Sequence, residues 1–256
     1  MKNKTFKFLG ISLLLLVFIA LILFPLHKKA PVKKILLLRG RIAIVIDDWG
    51  YSLNNLQIIE QIKQPLTCAI LPGLRNSNTV MQKLNNLGFE IILHLPMEPK
   101  ETLKLEKNTI LSGMTAEAIE KIFAKDLSSV TLAKGISNHM GSRVTEDLKT
   151  CALVLSEAKK RKLYFFDSFV TNQSACPALA EKIKIRFAKR DVFLDNQSDP
   201  EYIKKQLVKL KNLARRQGLA IGIGHDRKNT LLVLKKVLPQ LEKEGYKFVL
   251  LSQVVQ

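Results

Sequence analysis

The sequence predicts an α/β domain, a mainly parallel sheet or barrel with helices packed outside it. Three observations lead there. Short, continuous runs of β-branched and aliphatic residues recur from Arg41 to the C-terminus, as strands buried on both faces require. Segments of helical spacing alternate with these runs. Polar residues with catalytic potential stand where several of the runs end.

The elements follow in order. Arg41 to Ile46 is a short continuous run dominated by β-branched residues and reads as the first strand. Asn54 to Lys63 is helical, and Leu66 to Leu71 is a second strand closed by Pro72-Gly73. A helix over Asn76 to Leu87 stops at Gly88, and Phe89 to Leu93 is the third strand. Thr115 to Thr131 reads as a helix with Thr115 as its cap and Glu117 in its first turn. Gly135 to Ser137 is a short strand, Glu146 to Arg161 a helix, and Leu163 to Phe166 a strand. Pro200 to Gln217 is a helix stopped by Gly218, and Leu219 to Ile223 a strand. Thr230 to Gly245 is the last helix and Lys247 to Leu251 the last strand.

Ahead of this domain, Phe8 to Leu26 carries no charged residue and is dominated by Leu, Ile, Phe and Val. At ~1.5 Å per residue, such a helix approaches the ~30 Å of a bilayer core. Lys2, Lys4 and Lys7 precede it, which favours a cytoplasmic N-terminus and a domain outside the membrane. Lys28, Lys29, Lys33 and Lys34 follow it, so the charge rule taken alone is ambiguous. The expected organisation is a membrane anchor or signal peptide over 1–27, a basic tether over 28–40 and one domain over 41–256. An uncleaved anchor is expected; cleavage and secretion is the alternative.

Forty-one Lys and Arg against 22 Asp and Glu give a formal charge of +19 over 256 residues. That excess attracts polyanions without naming one. No helix-turn-helix, aromatic-bearing sheet or zinc-finger spacing accompanies it, so no nucleic-acid partner is expected. Hydrophobic residues at 47% supply a sizeable core. Cys68, Cys151 and Cys176 are odd in number, widely spaced and without a CxxC, and read as small buried side chains rather than a disulfide framework.

Chemistry concentrates at the strand ends. Asp47-Asp48 closes the first run, His94 the third and Asn138-His139 the fourth; Asp167 follows Phe166, and His225-Asp226 follows the Ile221 run. Parallel strands end on one face, so five ends deliver carboxylates and imidazoles to a single mouth. A lone aspartate there is often a turn residue. Two adjacent ones repel and resist burial unless a cation compensates. Imidazoles suit zinc-type metals, which makes His94 and His139 candidate ligands. Asp167 is a candidate to orient a metal-bound histidine or a basic side chain. No G-x-S-x-G elbow or phosphate-binding G-x-x-x-x-G-K-[ST] loop is present.

Ile44 to Tyr51, His94 to Pro99, Asn138 to Ser142, Phe166 to Ser168 and Gly224 to Arg227, in that order, resemble the divergent polysaccharide deacetylases, a distant branch of the NodB-type carbohydrate esterases. The resemblance implies a distorted (β/α) barrel and metal-dependent deacetylation of a cell-envelope polysaccharide. It implies Asp47 as catalytic base, Asp48 as metal ligand, His94 as second ligand and His225 as general acid. The family's second histidine motif is altered, with Glu98 where another imidazole is expected. Either Glu98 or His139 completes the site, and His139 is favoured because two imidazoles and a carboxylate leave zinc an open position. Asn138, Arg143, Asp226 and Arg227 are candidates to contact substrate or support the site. The implied location is a bacterial inner membrane, with the domain facing the periplasm or cell exterior. A domain of this fold that binds glycan or assists envelope assembly without turnover, and a phosphoesterase using the same metal, are the alternatives.

Overall fold

A computed structural model describes residues 37–256. The anchor and most of the tether expected from the sequence lie outside them. Among the described residues no helix is long and apolar enough to cross a membrane.

The described chain alternates strand and helix as expected. It runs β1 (Gly40–Trp49), α1 (Leu56–Ile59), β2 (Thr67–Ile70), α2 (Ser77–Asn86), β3 (Glu90–Met97), α3 (Ala116–Ser129), β4 (Gly135–Met140), α4 (Leu148–Lys160) and β5 (Tyr164–Asp167). Then come α5 (Cys176–Ile183), β6 (Phe187–Lys189), β7 (Val192–Phe193), α6 (Pro200–Gln217), β8 (Leu219–His225), α7 (Lys228–Lys243) and β9 (Tyr246–Val249), with a 3-10 turn over Leu251–Gln253. The helix expected over Asn54–Lys63 is one turn only. Helix α5 and strands β6 and β7 form beyond the elements that the sequence predicts.

The nine strands form one sheet, ordered β6-β5-β4-β3-β2-β1-β8-β7, and every strand pairing is parallel. β8 runs along one edge of β1, while β2 and β9 divide the other between them, β2 at Val45–Trp49 and β9 at Gly40–Ala43. Strands β6 and β7 lie at opposite ends of the sheet, yet only Arg190 and Asp191 separate them in sequence. Arg190 N–H donates to Asp167 O on β5 and Asp191 N–H to Ile221 O on β8. The sheet therefore curls until its ends nearly meet, giving a distorted barrel.

Burial follows the curl. Ile42, Ile44 and Ile46 of β1 face the helices and join the large outer core. Ala43 and Val45 face inward with Tyr164, Phe166, Ile221 and Ile223, where Val254 and Val255 help fill the barrel. Two-sided burial explains why the strands read as unbroken apolar runs. The caps agree with their residue types: Thr115 Oγ1 accepts from Ala118 N–H, and the Asp199 carboxylate accepts from Tyr202 N–H just before Pro200. Gly218 ends α6 at φ 81°, a left-handed position that favours glycine.

Candidate metal centre

β1 does not stop at Ile46; it continues through the two aspartates. Its register with β2 slips there, Ile46 pairing with Cys68 and Trp49 with Ile70, so β1 carries one extra residue. Adjacent side chains of a regular strand point to opposite faces. The bulge breaks that alternation, and Asp48 sits within it at φ 66°. Both carboxylates thereby reach the same imidazole: His94 Nε2 lies 3.6 Å from Asp47 Oδ2 and 3.3 Å from Asp48 Oδ1.

β3 supplies His94 and β4, beside it in the sheet, supplies His139; the two rings meet edge-on with centroids 5.0 Å apart. His139 Nδ1 lies 3.1 Å from Asp48 Oδ1. Asp48, His94 and His139 thus offer one ligand atom each within 4.8 Å of one another. Two ligands bound at ~2.0–2.1 Å around a tetrahedral ion lie roughly 3.3 Å apart, and the two contacts to Asp48 match that spacing. Asp47 Oδ1, Asp48 Oδ1 and His139 Nε2 are buried without a hydrogen-bond partner among the described residues. Unsatisfied buried atoms around a carboxylate–imidazole cluster fit a cation better than a sealed core. On the far side of His94, Nδ1 pairs with Ser137 Oγ at 2.7 Å and fixes the ring.

Burial works to raise the Asp48 pKa, but the His139 and His94 contacts win and hold its carboxyl well below the usual range. Asp47 is only 2% exposed. There desolvation dominates over the nearby histidines and raises its proton affinity. Two adjacent carboxylates are thus driven in opposite directions, as acid–base sites require.

His225, at the end of β8, is the register partner of Asp47 across the β1–β8 ladder. Its Nδ1 pairs with Asp195 Oδ1 at 2.7 Å, its backbone N–H donates to Asp195 Oδ2, and its ring stacks on Phe193. Thr230 Oγ1 also donates to Asp195, and Arg227 donates to the Asp195 carbonyl. Burial pulls the His225 pKa down, but the Asp195 hydrogen bond and charge raise it overall. Asp195 was not among the residues singled out from the sequence. It ends an apolar run, Val192-Phe193-Leu194, too short to register as a strand.

The other candidates divide. Glu98 lies outside the cluster: its carboxylate pairs with Arg143 Nε at 3.2 Å and accepts from Ser112 N–H. Glu98 and Arg143 therefore engage each other, and the imidazole gathered with His94 is His139. The Asn138 side chain braces a turn, accepting from Ser168 N–H and donating to Met140 O. The Asp167 carboxylate is taken up by Phe169 N–H and Ser174 Oγ, not by a histidine. Asp226 accepts from Asn55 Nδ2, and burial lifts its pKa to about 6.

A family model described as divergent polysaccharide deacetylase matches residues 44–255. The chain is 35% identical over 204 residues to the uncharacterized protein YibQ of Escherichia coli (strain K12), a match covering 80% of this chain and 64% of that protein. It thus spans just under two thirds of that relative's length. Among solved structures, an uncharacterized protein of Agrobacterium tumefaciens C58 matches at TM-score 0.81 and 25% identity, over 86% of this chain and 90% of that one. A family 4 carbohydrate esterase from Streptomyces lividans, solved in complex with acetate, shares the fold at TM-score 0.53 and 11% identity, over 86% of this chain and 97% of that one. With its strand-end motifs gathered on one mouth and the family match running almost the length of the described domain, the chain belongs to the divergent polysaccharide deacetylases.

Proposed function

We propose that this protein is a metal-dependent deacetylase of a cell-envelope polysaccharide, with zinc as its ion. The observation that carries the reading is the convergence of Asp48, His94 and His139 beside a buried Asp47, with His225 on the neighbouring strand. Two imidazoles and one carboxylate form a donor set suited to zinc with a position left open. Such an ion, when bound, lowers the pKa of a water from ~15.7 towards ~7 and polarises the acetyl carbonyl.

The chain's own residues supply the rest. Asp48, His94 and His139 would hold the ion, and Ser137 fixes the His94 ring through its Nδ1. Asp47, its proton affinity raised by burial, takes the proton of the attacking water. His225, its proton affinity raised by Asp195 against the effect of burial, delivers a proton to the departing amine or alcohol. Arg227 steadies the Asp195 backbone, so the acid stays aimed at the mouth. The Streptomyces esterase, solved with acetate, supports an acetyl group as the moiety removed. The apolar segment Phe8–Leu26 supports a membrane-held protein whose domain faces the envelope.

The test is metal content followed by turnover. Full-length protein purified without chelator is analysed for bound metals beside His94→Ala and His139→Ala. About one zinc per chain in the parent, lost from both variants, is expected, followed by acetate release from acetylated cell-wall sugars. A parent that takes up no metal even after incubation with zinc overturns the reading and leaves a glycan-binding module on this fold. Phosphate release from phosphate esters with no acetate release moves the reaction class instead.

A further inference from the structure

The cysteines that looked unrelated in sequence are not so in space. Cys151 lies in the first turn of α4 and Cys176 opens α5, helices that pack against each other. Their sulfurs are 3.0 Å apart. Non-bonded carbon atoms pack at roughly 3.5–4.0 Å, and sulfur is larger than carbon, so the two thiols are pressed together more tightly than packing alone produces. A disulfide needs about 1 Å more of approach, to ~2.05 Å. Cys68 sits on β2 and is buried.

We propose that Cys151 and Cys176 form a disulfide, closed as the domain folds by exchange with a disulfide-bearing oxidant. One cysteine thiolate attacks a sulfur of that oxidant, forming a mixed disulfide and releasing one thiolate. The second cysteine, having lost its own proton, attacks the sulfur of the first and expels the other thiolate. Two protons leave the cysteines, and two electrons reduce the oxidant to its thiols. Both sulfurs are buried in the folded domain, at 2% and 0% exposure, so the bond closes during folding and resists reduction afterwards.

The bridge has a structural consequence at the mouth. The segment it closes contains β5, Asp167, Ser168 and Phe169, the last at φ 51°. Backbone and side chains already draw this segment in: Ala175 N–H donates to Thr145 O, and Ser174 Oγ donates to Asp167. A covalent link between the starts of α4 and α5 fixes the base of that loop. Such a link implies folding in an oxidising compartment, an implication independent of the deacetylase reading.

The test uses the full-length chain, refolded from denaturant with oxidised glutathione as the disulfide donor and with reduced glutathione in parallel. Both samples are quenched by alkylation and mapped by mass spectrometry. The expected result is a Cys151–Cys176 peptide lighter by two hydrogen atoms in the oxidised sample, with Cys68 alkylated. The oxidised form should also melt roughly 6–10 °C above the reduced one, as loop closure of this size predicts. Cys151→Ser should abolish the difference in melting between the two conditions. Alkylation of both Cys151 and Cys176 in the oxidised, folded sample overturns the proposal, as does pairing of either with Cys68.

Discussion

At His225 two forces oppose each other. Burial favours neutral imidazole, and the Asp195 carboxylate favours imidazolium; the carboxylate wins and the pKa rises. Asp195 is itself held below its usual range: burial works against its charge, but His225 and Thr230 more than compensate. Asp195→Asn keeps the shape and removes the largest opposing charge, leaving burial opposed only by the smaller effects of Asp47 and Asp48. The alkaline limb of the pH–rate profile should then move to lower pH, because the protonated acid disappears earlier. His225→Ala should lose the general acid outright, a drop of ~10²–10⁴-fold in turnover. A profile for Asp195→Asn that overlays the parent, in a variant still folded by circular dichroism, would sink the assignment of His225 as acid. Asp47, Asp48, His94 and His139 were legible in the sequence because each closes an apolar run. Asp195 was not, because the strand before it is two residues long. The bulge at Asp48 was equally invisible: no glycine or proline marks it, and aspartate tolerates the left-handed backbone it needs.

Among the elements, the long helices and central strands could be read from their apolar spacing, and the α5–β6–β7 stretch could not. Its eight-residue helix and strands of three and two residues are too short for a period to emerge, and tertiary pairing alone defines them. Within a well-read element, α3, one buried residue still breaks the pattern. Asp126 accepts from Asn108 Nδ2 with one oxygen, while the other is buried without a partner among the described residues. Burial lifts its pKa to about 6, with Asn108 and Lys125 only partly offsetting it. A carboxyl whose pKa is raised in the folded state favours folding when protonated. That contribution is fully present below the unfolded value, near pH 3.8, and is lost as pH rises through about 6. Asp126→Asn should therefore stabilise the protein at pH 8 by on the order of 2 kcal/mol, allowing for solvent screening. The advantage should vanish below about pH 4. Urea denaturation across that range checks it, and a stability difference that does not change with pH would refute the titration account.

For the whole molecule, the decisive feature is the curl that brings strand ends from both halves of the sheet to one mouth. β1 sits centrally and carries the aspartates; β3 and β4 bring the histidines from one side, and β8 brings His225 from the other. That convergence depends on closure between β5 and β8, where Arg190 and Asp191 grip opposite strands in succession. Arg190 also donates to the Ser168 and Phe169 carbonyls, and its guanidinium lies over the Phe193 ring that stacks on His225. Asp191 is the grip on β8: its N–H donates to Ile221 O, and its carboxylate accepts from Ile221 N–H at 2.7 Å. Ile221 is buried but Asp191 is exposed, so removing the carboxylate exchanges a charge-assisted acceptor for water. Asp191→Ala should cost about 0.5–1.5 kcal/mol of stability, the net worth of one partly exposed hydrogen bond. Asp191→Asn keeps an acceptor oxygen at the same place and should recover most of that loss. The comparison matters more than either value, since it separates hydrogen bonding from charge at the seam. If closure also positions the acid proposed above, turnover should fall with stability in Asp191→Ala and return in Asp191→Asn, while metal uptake at Asp48 of β1 and His94 and His139 of β3 and β4 stays near the parent's. Equal stability in all three proteins would mean that the barrel holds its curl without this seam.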